Sequence, residues 1–92
     1  MFGYCAAISS ASYVYKAIHT AAHERLCALL RSYRVQAGLR QVDVAERLHT
    51  PQSFVSKYES GERRLDLIEL QQVCTVLGVP LVEFVRVFDT GG

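Results

Sequence analysis

Gln52, Ser53, Ser56 and Lys57 are four hydrogen-bonding side chains in one short run, interrupted only by apolar Phe54 and Val55. On a helix, residues three and four apart share a side. Ser53, Ser56 and Lys57 then form a polar row with Gln52 beside it, while Val55 and Tyr58 fall toward a core. Glutamine can pair bidentately with adenine, lysine can donate to guanine, and serine adapts to a base edge or a phosphate. In isolation such a face is also that of an ordinary solvated helix, so its surroundings decide between the two. Other reactive combinations are absent or badly spaced. His19, His23 and Cys27 stand at i, i+4 and i+8, and the outer two would be about 12 Å apart along a helix, too far to share one ion. No metal site and no cofactor are expected. Cys27 and Cys74 read as small core residues. There is no Gly-rich phosphate loop, no H-E-x-x-H and no G-x-S-x-G, so an enzyme is not expected.

The elements that must position the polar row can be read from punctuation at Gly38, Thr50-Pro51, Gly61, Gly78 and Pro80. Leu26, Leu29, Leu30, Tyr33 and Ala37 keep helical spacing ahead of Gly38, which predicts a first helix over 21–37. Val14, Ile18 and Ala22 extend that stripe upstream, as a separate helix from about residue 12 or as a continuation. Val44, Ala45 and Leu48 mark a second helix over 41–48, with Asp43 in its first turn. Thr50 as N-cap and Pro51 at the first helical position predict a third helix over 51–59. Asp66 with Glu69 three residues on, flanked by Leu65 and Leu70, carries a capping box and hydrophobic staple. The fourth helix follows, with Leu67, Leu70, Val73, Cys74 and Leu77 as its buried stripe. A fifth, over 80–88, is apolar nearly all round. The fold class is therefore all-α, with an N-terminal extension over 1–20, a helical domain over 21–88 and a tail over 89–92.

Two short helices joined by a tight turn, the second with a polar outer face, form the layout that lays a helix in the DNA major groove. The run from Leu30 to Gly78 resembles the Cro/C1-type, or XRE, family of helix-turn-helix regulators. The resemblance rests on Gly38-Leu39-Arg40-Gln41, Ala45, Gln52-Ser53-Phe54-Val55-Ser56-Lys57, Glu59-Ser60-Gly61 and Arg63-Arg64-Leu65-Asp66 at their mutual spacing. It implies a five-helix, lambda-repressor-like domain that binds operator DNA as a two-fold dimer. It puts Gln52, Ser53 and Lys57 at base-contacting positions, with Ser56 on the same face, and makes Gln41 a phosphate contact that also braces Gln52. It also implies a buried ion pair between Arg34 and Glu59. Arg40, Arg63 and Arg64 flank the reading helix and are expected along the DNA backbone. Three positions depart from the family pattern. Arg40 replaces the usual Ser or Thr cap, His49 replaces glycine in the turn, and Phe54 replaces a small polar residue, to touch a thymine methyl or pack on the second helix.

Composition sets the remaining bounds. The chain has 92 residues, half of them apolar, and a net charge of +1. Residues 31–64 carry seven bases (Arg31, Arg34, Arg40, Arg47, Lys57, Arg63, Arg64) against four acids (Asp43, Glu46, Glu59, Glu62). Residues 66–92 carry only Arg86 against Asp66, Glu69, Glu83 and Asp89. A basic middle in a near-neutral chain suggests one face meant for an anion. Three widely spaced cysteines and no long apolar run point to the cytoplasm and away from a membrane. In the fifth helix, Leu81, Val85 and Phe88 are expected to meet the core. Val82, Phe84 and Val87 would then lack cover and are expected to form a homodimer interface, with an inverted-repeat operator. The same apolar helix also suits a second reading, an antitoxin-like module that binds an unknown protein partner.

Overall fold

The computed structural model describes residues 20–91 as five α-helices. They are α1 (Ala21–Gln36), α2 (Gln41–Leu48), α3 (Gln52–Ser60), α4 (Leu67–Leu77) and α5 (Leu81–Asp89). The expected extension over 1–19, with its helix from about residue 12, and His19 lie outside the described residues. Among the described residues no single helix is long and apolar enough to cross a membrane, and no cluster of three or more His, Cys, Asp or Glu could hold a metal ion.

Each helix begins and ends for a local reason. Thr20 Oγ1 accepts the His23 N–H at 3.2 Å and caps α1. At α2 the cap residue is Arg40, whose side chain has no acceptor to offer. Asp43 works in the reverse direction, its carboxylate accepting the Arg40 backbone N–H at 2.8 Å and gripping the Arg40 guanidinium at 2.9 and 3.0 Å. That grip holds the Asp43 carboxyl down at about 2. His49 ends α2 in the left-handed region at φ 60°, ψ 43°, a conformation in which histidine is tolerated better than most non-glycine residues. The start of α3 differs from expectation. The Thr50 N–H turns back to Ala45 O at 3.0 Å, so Pro51 takes the extended cap position and α3 opens at Gln52. α4 carries the full capping box, with Asp66 and Glu69 each accepting the other's backbone N–H, at 2.7 and 3.0 Å.

The core gathers Leu30 from α1, Val44 and Ala45 from α2, Val55 and Tyr58 from α3, Val73, Cys74 and Leu77 from α4, and Phe84 from α5. Burial pushes the Cys74 thiol up to about 11 and raises that of Cys27. Leu67, expected on the inner stripe of α4, is exposed. It is the first residue of α4.

The expectation that Phe84 lacks cover is corrected. Phe84 is 1% exposed, and its ring lies 5.6 Å from that of Tyr33. α5 meets α4 at a 105° bend that turns the stripe Leu81, Phe84 and Phe88 inward. Val85, assigned to the core by sequence, faces out with Val82, and Val87 is half-buried. Arg25 closes the seam between α1 and α5, lying 4.7 Å over the Phe88 ring and donating to Phe88 O at 3.1 Å.

Candidate nucleic-acid interface

The candidate face is the outer side of α3. Val55 and Tyr58 are buried beneath it, and Gln52, Ser53, Ser56 and Lys57 are exposed on it. Ser53, Ser56 and Lys57 have no side-chain partner among the described residues. Turning them outward requires only that the apolar side of this short helix be anchored, which Val55 and Tyr58 accomplish.

The face is oriented by a relay that begins in the core. Arg34 Nε and Nη2 donate to the two Glu59 oxygens at 2.7 and 3.1 Å. The pair is largely withdrawn from water, with side-chain exposures of 12% for Arg34 and 4% for Glu59. Arg34 Nη1 also donates to Leu39 O at 2.9 Å, which ties down the loop before α2. Glu59 Oε1 further accepts from Gln41 Nε2 at 3.0 Å, and Gln41 Oε1 accepts from Gln52 Nε2 at 3.4 Å. The four side chains link α1, α2 and α3, and the last of them is the first residue of the exposed polar row. The Gln41–Glu59 bond joins residues 18 apart in sequence, and no spacing rule signals it.

The flanking cations differ in how free they are. Arg40 lies at the N-terminus of α2 with its charge balanced by Asp43. Arg63 is forked onto Glu69. Arg64 and Lys57 are exposed and have no side-chain partner among the described residues. Phe54 packs against the core cluster that includes Val44 and Ala45 of α2. It is half-buried on the flank of α3, with its ring 5.6 Å from Tyr58 and the Arg63 guanidinium 4.7 Å above it. Val82 is 73% exposed on α5.

Comparison with known proteins adds the family. A family model described as helix-turn-helix matches residues 30–84. An XRE-family like protein from Pseudomonas syringae pv. tomato is similar at 40% identity, with 85% of this chain and 95% of that one covered and a TM-score of 0.76. The clp gene regulator ClgR from Corynebacterium glutamicum is similar at 25% identity over 78% of this chain and 77% of its own, with a TM-score of 0.69. The restriction-modification controller protein C.Esp1396I, at 20% identity over 77% of this chain and 93% of its own, has a TM-score of 0.70 and shares the fold. No curated protein sequence matches. The family model and the 40% identical relative together show that the chain belongs to the XRE family of helix-turn-helix DNA-binding transcriptional regulators, which are not enzymes.

Proposed function

We propose that this chain binds double-stranded DNA sequence-specifically as a small transcriptional regulator, with α3 lying in the major groove. Gln52, Ser53, Ser56 and Lys57 meet base edges. Gln41, Arg40 and Arg64 meet the backbone on either side. The observation that carries the reading is the exposed row on α3, free of side-chain partners among the described residues at Ser53, Ser56 and Lys57 and steadied at Gln52 through Gln41 and Glu59. A face that is both rigid and unsatisfied is pre-organised for hydrogen bonds from another molecule. Selection of bound sequences from a random duplex pool tests it. A reproducible motif, with affinity falling steeply as salt rises, supports the reading, and an unenriched pool contradicts it.

The regulator acts as a homodimer on an inverted repeat, with the exposed side of α5 around Val82 and Val85 against its copy. Half-sites are then about 34 Å apart, one DNA turn. A second reading, docking of a different protein, is favoured by the exposed apolar residues Leu67 and Ile68 at the start of α4.

A further inference from the structure

The arm joining α3 to α4 carries two adjacent arginines with opposite surroundings. Its start is anchored where the Glu62 and Arg63 N–H groups donate to Lys57 O at 2.9 and 3.2 Å. Arg63 then folds back. Its Nη1 donates to Arg64 O at 2.8 Å and to Glu69 Oε1 at 3.1 Å, and its Nη2 donates to Glu69 Oε2 at 2.8 Å. The plane so fixed lies over Phe54, whose edge is met by Tyr58. Glu69 is itself fixed, because Oε1 also accepts the Asp66 N–H in the α4 capping box. Arg64 points into solvent.

We propose that Arg63 is a positioning residue, not a phosphate contact: forked on Glu69 and stacked on Phe54, it locks the arm and the flank of α3 to the start of α4 and leaves Arg64 as the arm's phosphate-binding cation. The proposal rests on the DNA-binding reading above and assigns the division of labour within that site. Salt dependence measures net charge brought to phosphates. A guanidinium that is forked on a carboxylate, bonded to a carbonyl and stacked on a ring has little left to bring, unlike Arg40, whose side chain is 77% exposed with Nη1 unengaged among the described residues. The pairing raises the Arg63 pKa and lowers that of Glu69, as two charges that stabilise each other require. A fork and a stacked plane need arginine, since lysine keeps the charge but offers neither geometry. Phe54 is thereby held beside Lys57, so the brace governs how that side of α3 enters the groove.

Arg63→Lys separates charge from geometry. The full chain is titrated with the duplex recovered from the random pool and with a scrambled duplex of equal length, over a series of salt concentrations. Arg63→Lys is expected to weaken binding to the selected duplex about tenfold, leaving binding to the scrambled duplex and the salt slope unchanged. Phe54→Leu, which keeps apolar bulk but removes the aromatic face, is expected to show the same selective loss. Arg64→Met is expected to weaken both duplexes equally and reduce the slope by about one unit. Wild-type behaviour of both Arg63→Lys and Phe54→Leu overturns the proposal. So does the double variant Arg63→Met, Glu69→Gln, which removes the pair without changing net charge, if it loses a unit of slope on both duplexes. A wild-type chain that binds neither duplex in a salt-dependent way overturns the DNA-binding reading itself, and the two failures are distinguished by which protein shows them.

Discussion

At the scale of single residues, Glu59 joins the buried ion pair to the exposed row of α3. It balances Arg34 and holds Gln41, and through Gln41 it steadies Gln52. Both members of the ion pair were legible through the family resemblance, because their positions in the motif imply it. The bond from Gln41 to Glu59 was not, because it depends on how α2 packs across α3. Glu59→Gln leaves the Arg34 guanidinium uncompensated at a site with little water, and is expected to cost about 3 kcal/mol. In a domain of this size that lowers the thermal midpoint by more than about 10 °C. A midpoint within a few degrees of wild type would show that water already screens the pair. Asp43 makes the pH prediction. Its folded-state pKa of about 2 lies below the ordinary value of 3.8, so its contribution is fully present above the ordinary value and is lost as pH falls toward 2. The Asp43 side-chain carbonyl carbon, followed by NMR, should titrate near 2. A midpoint near 3.8 would mean that the Arg40 pair does not persist in solution.

At the scale of elements, helix boundaries were legible where capping is local chemistry and illegible where packing decides. Asp66 with Glu69, and the turns at Gly61 and Gly78, are read from neighbouring residues alone, and the helices begin and end there. The start of α3 shifted by one residue because the Thr50 amide is taken by the end of α2. The buried side of α5 was misread for a different reason. With Leu81, Val82, Phe84, Val85, Val87 and Phe88 all apolar, the periodicity fits a stripe through Val85 as well as one through Phe84. Only the angle at which α5 meets α4 and α1 selects between them. The turn after α2 gives a direct test of element geometry. His49 holds a left-handed conformation that glycine adopts without a Cβ penalty, so His49→Gly is expected to stabilise the fold by about 0.5–1 kcal/mol in urea denaturation. A loss of stability would show that the His49 side chain makes a contact worth more than the strain.

At the scale of the whole molecule, the five described helices pack around one core and leave the polar row of α3 exposed. The helix-turn-helix arrangement was legible because turn residues and apolar spacing agree from Gly38 to Gly78. Phe84, expected in an interface with a second copy, was misread, because the buried face of α5 is chosen by its packing on α4 and α1. Val82 is the residue on which the assembly prediction now rests, being exposed and outside the core. Val82→Glu is expected to turn a sedimenting dimer into a monomer at micromolar concentration without a change in helix content. A wild-type monomer, or a dimer unaffected by the change, would move the interface elsewhere. The central claim is that the α3 row reads sequence. Its most direct test is the affinity of Gln52→Ala and Lys57→Ala for the selected duplex, compared with a scrambled one at the same salt. Each variant is predicted to lose about 1–3 kcal/mol on the selected duplex and much less on the scrambled one, while equal losses on both duplexes would contradict base reading by this face.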